Sequence, residues 1–179
     1  VEASEKKVAV VLCSGTLSHS KIGAQYNGIL DCRSAVQLNG AGKDCRFGCI
    51  GFGTCAHVCK FGALEIIDGL AVVHPELCVG CGQCVETCPR KLIKLVPASA
   101  RVHIYCNSLE KPALRMKKCT ASCIACRKCL KAAPDKFNPQ GFMIRAVYTN
   151  PPDESVIEAA KCPRKCLLTP EPHLEAVRE

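Results

Sequence analysis

The chain has 179 residues, of which 17 are cysteine, three are tyrosine, five are phenylalanine and none is tryptophan, and its formal net charge is +8. This length fits one or two small domains, and cysteine at this density indicates either a secreted disulfide scaffold or a metal protein. The odd cysteine count, the absence of a signal-peptide pattern and the tight C-x2-C and C-x3-C spacings argue against disulfides and favour a reducing compartment.

The positive charge does not by itself indicate a nucleic-acid-binding protein. The basic residues are scattered, apart from short groups at 115–118 and 127–131, and no aromatic residues are interleaved with them. Cysteines that ligate iron do so as thiolates, whose negative charge would cancel most of the excess. No apolar run approaches the ~20 residues needed to cross a bilayer. We therefore expect no nucleic-acid partner and no membrane span in this chain.

Short strands separated by loops are predicted for the first half of the chain. The charged opening VEASEKK resembles a linker, which is consistent with a further N-terminal part before it. A strand over 8–13 ends at Cys13 and is followed by a long loop that contains Cys32. Further on, an Asp-Gly pair between the apolar runs ALEII and LAVV is a strong β-hairpin signal. The run KLIKLVP predicts one more strand.

The second half repeats the first. RVHIYCNS predicts another strand that ends in a cysteine, GFMIRAVYT predicts a strand, and PPDESVIEAAKCP predicts a short helix that begins with proline and acidic residues. VVLCSG aligns with HIYCNS, and KDCRFGCIG aligns with KKCTASCIA. Such an internal repeat is a signal at the level of the fold. It predicts two related modules, residues 1–97 and 98–179.

The strongest motif is C-x2-C-x2-C-x3-C-P at 78–89, the bacterial ferredoxin run, whose fourth cysteine ligates the other cluster in two-cluster ferredoxins. We therefore expect an α+β protein of tandem bacterial-ferredoxin-like modules organised around [4Fe-4S] clusters. One cluster is expected to have the ligands Cys59, Cys78, Cys81 and Cys84. A second cluster is expected to combine the last cysteine of this run with three from the irregular run upstream, giving Cys45, Cys49, Cys55 and Cys88. Tetrahedral zinc is the alternative for both sites, although a zinc ribbon does not need the third, closely spaced cysteine.

A related run in the second module, CIACRKCLKAAP, has Ala133 where the ferredoxin motif has its fourth cysteine. In a symmetric ferredoxin the remote fourth ligand comes from a Cys-Pro pair, and Cys162 begins such a pair here. A third cluster is therefore expected with the ligands Cys123, Cys126, Cys129 and Cys162. The partner cluster of this module is interpreted as deleted, because its other three positions are Glu158, Ser155 and Pro152.

The five remaining cysteines are Cys13, Cys32, Cys106, Cys119 and Cys166. The first four either form a fourth cluster or are buried free thiols that behave as small hydrophobic residues, and both interpretations are consistent with the sequence. Cys166 has no partner in this scheme. His57 is interpreted as covering a cluster rather than ligating it. No catalytic residue is predicted, because no Ser-His-Asp, Cys-His or paired-carboxylate arrangement and no phosphate-binding glycine loop is recognisable.

The order of these motifs resembles the B subunit of the Rnf complex, a membrane-bound ferredoxin:NAD oxidoreductase coupled to ion transport. The resemblance covers about residues 8–130 and is carried by VAVVLCSG, YNGILDCRSA, CRFGCIGFGTCAHVCKFGALEI, DGLAVVHPELCVGCGQCVETCPRKLIKLVP, CNS and KCTASCIACRKC. Two departures stand out. The family usually has an N-terminal membrane helix followed by a small cluster domain, and its second module usually carries two complete motifs.

The resemblance implies an electron-transfer subunit with three [4Fe-4S] clusters, or four, and no independent substrate chemistry. Such a subunit would relay single electrons from reduced ferredoxin to a partner subunit of a membrane-bound, ion-translocating oxidoreductase, at the cytoplasmic face of the membrane. A soluble polyferredoxin, or a wiring subunit of a hydrogenase or dehydrogenase complex, is the alternative function. A zinc-stabilised interaction module is a third interpretation.

Overall fold

The computed structural model describes residues 5–178, so the first four residues of the predicted linker lie outside it. The strands in this range are β1 (Lys7–Val11), β2 (Leu64–Ile67), β3 (Leu70–Val73), β4 (Ile93–Pro97), β5 (His103–Ile104), β6 (Phe137–Gln140), β7 (Met143–Ala146) and β8 (Leu167–Leu168). The helices are α1 (Cys32–Gln37), α2 (Thr54–His57), α3 (Gln83–Thr87), α4 (Pro112–Lys118), α5 (Lys128–Ala132), α6 (Ser155–Ala160) and α7 (Pro170–Arg178). Two 3-10 turns lie at Asn39–Gly42 and Pro134–Lys136.

All four sheets of the described residues are antiparallel pairs of strands. They join β1 to β4, β2 to β3, β5 to β8 and β6 to β7. The outer pair β1–β4 thus brackets the hairpin β2–β3, and β5–β8 brackets the hairpin β6–β7 in the same way. The predicted mixture of helices and strands is confirmed. The order of strands recurs in the two halves, whereas the tandem modules, their organisation around clusters and the boundary after residue 97 stay predictions.

The hairpin predicted from the Asp-Gly pair is confirmed as β2–β3. Ile67 is the register partner of Leu70, which leaves a two-residue loop of Asp68 and Gly69. Both loop residues have positive φ angles, 43° and 68°, as a type I′ turn requires. The Asp68 carboxylate accepts hydrogen bonds from the backbone N–H and the hydroxyl of Ser18, at 3.0 and 2.6 Å. The turn therefore also anchors the long loop that follows β1.

Aliphatic side chains and cysteines fill the interior, because the chain has few aromatic residues. The larger core is formed by β1, β3 and the residues around β4, and it also contains Tyr105 and Val177 from the second half of the chain. The smaller core belongs to the second half alone and contains Val102, Ile104, Phe137, Ile144, Val156, Ala160, Cys166 and Leu167. Cysteine sulfurs line both cores, so the candidate metal ligands are part of the packed interior.

The two halves of the chain contact each other near the end of α4. Ser20 and Cys119 form an isolated antiparallel bridge, and the backbone N–H of Lys21 donates to the carbonyl of Lys118 at 2.8 Å. These contacts bring Cys119 to the loop that follows β1.

The C-terminal helix α7 forms a second contact between the halves. The His173 ring stacks on Tyr105 with 3.6 Å between the ring centroids, and its Nδ1 lies 3.3 Å from the Ser14 hydroxyl. Burial lowers the pKa of His173 to about 4, so the ring is neutral at pH 7. With nine residues α7 is the longest helix of the described range, and none of the helices there has the length and apolar character needed to cross a bilayer.

Candidate metal centres

All 17 cysteines are free thiols, and 16 of them lie in four groups of four. We number the groups in the order in which they adjoin one another. Group 1 is Cys59, Cys78, Cys81 and Cys84. Group 2 is Cys32, Cys49, Cys55 and Cys88. Group 3 is Cys13, Cys45, Cys106 and Cys119. Group 4 is Cys123, Cys126, Cys129 and Cys162.

Group 1 lies between β1, the hairpin β2–β3 and the start of α3, and it contains the four cysteines that the ferredoxin run predicts. Its sulfurs surround a small cavity whose other walls are mainly apolar side chains. The backbone N–H of Ala9 donates to the Cys78 sulfur at 3.3 Å. Burial, together with the neighbouring Cys78, raises the pKa of Cys84 to about 11. A thiolate at this position therefore needs a positive partner such as iron.

Group 2 surrounds a small cavity against β1, β3 and β4. The backbone N–H of Ala71 donates to the Cys49 sulfur at 3.5 Å. Burial, followed by the nearby Cys49, Cys88 and Cys32, raises the pKa of Cys55 to about 12. These four thiols are thus close enough for each thiolate to disfavour ionisation of the others. Ligands of one metal centre behave in this way when the positive metal is not bound.

The structure places Cys32, and not Cys45, in this group, which differs from the predicted ligand set. Asp31 caps α1 by accepting from the N–H of Ser34, and it also accepts from the Thr54 hydroxyl at 3.0 Å. The same hydroxyl accepts from the N–H of Cys32 at 2.8 Å. Because Thr54 begins α2, which carries Cys55, these bonds hold the two cysteines side by side. Cys32 is distant from Cys55 along the chain, so no spacing pattern in the sequence indicated that the two lie together.

Cys45 instead joins Cys13, Cys106 and Cys119 in group 3, around a small cavity. Arg90 donates to the carbonyls of Cys45 and Gly48, at 2.8 and 2.6 Å, and so holds the turn that carries Cys45. The expected fourth set was Cys13, Cys32, Cys106 and Cys119. The structure brings three of these together and places Cys45 where Cys32 was expected.

In group 3, Cys13 and Cys119 are buried, Cys45 and Cys106 are half-buried, and the Cys13 sulfur receives a backbone donor. Burial raises the pKa of Cys13 to about 12 and also raises the pKa values of Cys106 and Cys119. The N–H of Gly15 donates to the Cys13 sulfur at 3.3 Å. Donors of this kind stabilise the thiolate form, which is the form that binds metal.

Group 4 lies at the start of α5 and just after α6, and it contains the four cysteines predicted for the second module. Ala125 N–H donates to the Cys123 sulfur at 3.4 Å. Ala133, at the position of the missing motif cysteine, packs against the smaller core. The remote Cys162 is thus beside the local run, as the Cys-Pro pair predicted.

Cys166, which had no role in the sequence analysis, contacts group 4. Its N–H donates to the Cys162 sulfur at 3.4 Å, and its buried thiol lies against Cys123 and Cys162. Hydrogen bonding from this thiol lowers the pKa of Cys123 to about 6 and that of Cys162 to about 5, while it raises the pKa of Cys166 itself. Cys166 therefore supports the ionised form of two group 4 thiols. His57, interpreted as a cover for a cluster, is exposed.

Two buried cations face these groups. The Lys43 ammonium donates to the carbonyls of Gly15, Cys49 and Gly69, at 2.9, 2.8 and 3.3 Å, and its charge favours ionisation of Cys13 and Cys49. It therefore lies between groups 2 and 3.

Arg115, with a relative exposure of 1%, donates to the carbonyls of Glu110 and Phe142, and its charge favours ionisation of Cys106 and Cys123. It therefore lies between groups 3 and 4. Within residues 5–178 neither Lys43 nor Arg115 forms an ion pair with a carboxylate. Because an unpaired buried cation is costly, the thiolates are the anions available to compensate both charges.

The arrangement fits iron–sulfur clusters. Each group offers four thiols, the donor set that [4Fe-4S] clusters require, and each has at least one cysteine sulfur that accepts a backbone N–H, the kind of hydrogen bond that adjusts cluster potentials. In residues 5–178 no three His, Cys, Asp or Glu side chains are close enough to hold a single metal ion.

Comparison with known proteins agrees with this chemistry. Residues 71–94, which include the ferredoxin run, match the family model of a 4Fe-4S binding domain. The chain is 46% identical over 119 residues to the B subunit of the Na(+)-translocating ferredoxin:NAD(+) oxidoreductase complex of Acetobacterium woodii, which covers 66% of this chain and 36% of that protein. It is 40% identical over 135 residues to the B subunit of an ion-translocating oxidoreductase complex of Methanosarcina acetivorans, covering 75% of this chain and 51% of the relative.

A third relative is the B subunit of the proton-translocating ferredoxin:NAD(+) oxidoreductase complex of Clostridium ljungdahlii, 41% identical over 120 residues that make up 66% of this chain and 42% of that protein. The aligned part thus spans between about a third and about half of the length of these curated relatives. The resemblance predicted from the cysteine pattern is confirmed, and the chain is a homologue of part of the B subunit of the ion-translocating (Rnf-type) oxidoreductase complexes.

Proposed function

We propose that the chain is an iron–sulfur electron-transfer subunit of a membrane-bound, ion-translocating oxidoreductase complex. The observation that carries this proposal is that the fold assembles three four-thiol groups, and that one of them has three of its cysteines, Cys78, Cys81 and Cys84, in the region that matches a 4Fe-4S binding domain. Three [4Fe-4S] clusters are assigned to groups 1, 2 and 4, and such clusters supply one-electron transfer.

The protein's own part is to hold the centres close together and to exclude water. Groups 1 and 2 adjoin, since Cys55 and Cys84 are near enough for each charge to oppose the other. Apolar side chains form most of the remaining wall of both cavities. Backbone N–H groups and the buried Lys43 stabilise negative charge in this apolar interior. Burial and hydrogen bonding of this kind set the potentials of iron–sulfur centres.

The two terminal groups reach the surface, where electrons can enter and leave. Cys81 of group 1 and Cys126 of group 4 are exposed, whereas most other cysteines are buried or half-buried. Next to group 1, Phe61, Leu77 and Val79 are 48%, 49% and 52% exposed. Exposed apolar residues next to a redox centre suit the docking of a partner protein.

Reduced ferredoxin is proposed as the electron donor, and another subunit of the complex, at the cytoplasmic face of the membrane, as the acceptor. The names of the relatives support this assignment. A soluble polyferredoxin, or a wiring subunit of a hydrogenase or dehydrogenase complex, remains the alternative. Co-purification from a native membrane preparation separates the two, because only the first function requires membrane subunits in the purified complex.

The test uses anaerobically purified protein. Iron and acid-labile sulfide in equal amounts, with electron paramagnetic resonance signals of [4Fe-4S]⁺ after reduction, are expected. Mixing with reduced ferredoxin should reduce these centres, and the rate should fall in a Leu77→Glu variant that keeps its iron. Ile29→Glu, at a position 73% exposed but outside the group 1 surface, is the matched control. A colourless protein that contains zinc and no sulfide would refute the proposal.

A further inference from the structure

Group 3 differs from the other groups because both halves of the chain contribute to it. Cys13 and Cys45 come from the first half, and Cys106 and Cys119 come from the second. Cys13 and Cys106 occupy equivalent places in the internal repeat, just beyond β1 and β5. The bridge between Ser20 and Cys119, and the contact of His173 on α7 with the Ser14 hydroxyl, join the two halves at this cavity.

Three of the four sulfurs, those of Cys13, Cys45 and Cys119, lie around space that two glycines leave open. A Cβ atom at Gly15 would lie 3.5 Å from the sulfurs of both Cys13 and Cys119, so these sulfurs are within about 7 Å of each other. A Cβ atom at Gly48 would lie 3.4 Å from the Cys45 sulfur and 3.7 Å from the Cys13 sulfur, which gives a similar bound. Larger residues at either position would fill the cradle between the thiols.

In the wall of this cavity, one buried hydroxyl has no hydrogen-bond partner and one buried guanidinium has no carboxylate partner among the described residues. The Ser122 hydroxyl belongs to a residue 3% exposed and, within the described part of the chain, has no hydrogen-bond partner. Arg115, also in the wall, carries a buried charge whose described hydrogen-bond partners are neutral carbonyls. Leaving such groups unmatched costs free energy. An anionic group bound among the four thiols would accept from the hydroxyl and balance the guanidinium.

Group 3 also occupies the position between groups 2 and 4. Gly48 and Ser122 line its cavity, and they immediately precede Cys49 of group 2 and Cys123 of group 4 along the chain. The cavity therefore adjoins a neighbouring group on either side. A redox centre in group 3 would complete a series of four adjacent centres. It would thereby connect group 4 to the centres of the first half.

We propose that Cys13, Cys45, Cys106 and Cys119 ligate a fourth [4Fe-4S] cluster, which joins the two halves of the chain. This inference rests on the proposed function, since it assumes that the chain binds iron–sulfur clusters. The four thiolates and the oxidised cluster core together would carry a net charge of about −2. Arg115 and Lys43 would compensate this charge. The cluster would carry electrons between the centres in groups 2 and 4.

The experiment measures iron and acid-labile sulfide per chain in anaerobically purified wild-type protein and in four variants. The wild type is expected to hold about sixteen of each. Cys13→Ser, Cys106→Ser and the double variant should each lose about four, because the two cysteines serve one cluster although they come from different halves. Cys81→Ser, in group 1, is the control and should also lose about four.

A wild-type count of about twelve, with a loss in Cys81→Ser but none in Cys13→Ser or Cys106→Ser, would overturn this inference alone. A loss of about eight in the double variant would also overturn it, since the two cysteines would then belong to different clusters. A wild type without iron and sulfide would instead refute the proposed function. The wild-type count needs no substitution, so the test does not depend on whether a variant folds.

Discussion

The buried lysine between groups 2 and 3 allows the electrostatic reasoning to be tested directly. Lys43 is 4% exposed, and its ammonium is held by three backbone carbonyls. A fixed positive charge stabilises the reduced, more negative form of a neighbouring cluster. Lys43→Met keeps most of the side-chain volume and removes this charge. We therefore expect the variant to have lower reduction potentials at the clusters of groups 2 and 3.

The size of the effect follows from Coulomb's law. At a separation of roughly 7 Å and an effective dielectric constant of about 20, one unit charge changes the energy of the transferred electron by about 2 kcal/mol. For a one-electron couple this corresponds to a potential lower by about 90 mV. The shift should be similar for both clusters, because Lys43 favours ionisation of Cys13 in group 3 and of Cys49 in group 2.

The assay is a redox titration followed by electron paramagnetic resonance, on protein whose iron content equals that of the wild type. Lys94→Met is the matched control: Lys94 is exposed on β4, so solvent and salt screen its charge and no resolved shift is expected. Unchanged potentials for all clusters in Lys43→Met would contradict the assignment of clusters to groups 2 and 3, or the role given to the buried ammonium.

Two further predictions concern the grouping of the cysteines. Because Cys32 and Cys49 share a group, the double variant Cys32→Ser/Cys49→Ser should lose about four irons per chain. The double variant Cys45→Ser/Cys49→Ser affects two groups and should lose about eight. The reverse pattern of iron loss would support the ligand sets expected from the sequence. Cys166→Ala should keep its iron, because Cys166 only donates to the thiols of group 4, whereas Cys162→Ala should lose about four irons. An equal loss in both variants would instead identify Cys166 as a ligand.

Local spacing along the chain was sufficient for much of the fold and for part of the site. The ferredoxin run at 78–88 and the shorter run at 123–129 place three sulfurs within a few residues of each other, so chain geometry alone keeps them together. The same holds for the β2–β3 hairpin, where the two residues Asp68 and Gly69 supply the required positive φ angles. The internal repeat further indicated that the strand-end cysteines Cys13 and Cys106 are equivalent.

The sequence by itself thus determined the class of chemistry, the resemblance to the Rnf-type B subunit and two of the four groups. The tertiary structure decided the other two, because their members are brought together by contacts distant in sequence. The Thr54 hydroxyl binds Cys32 to the start of α2, and Arg90 holds the turn that carries Cys45. Neither contact leaves a pattern of spacing, since each depends on one hydrogen-bonding side chain that the fold places beside a distant backbone group.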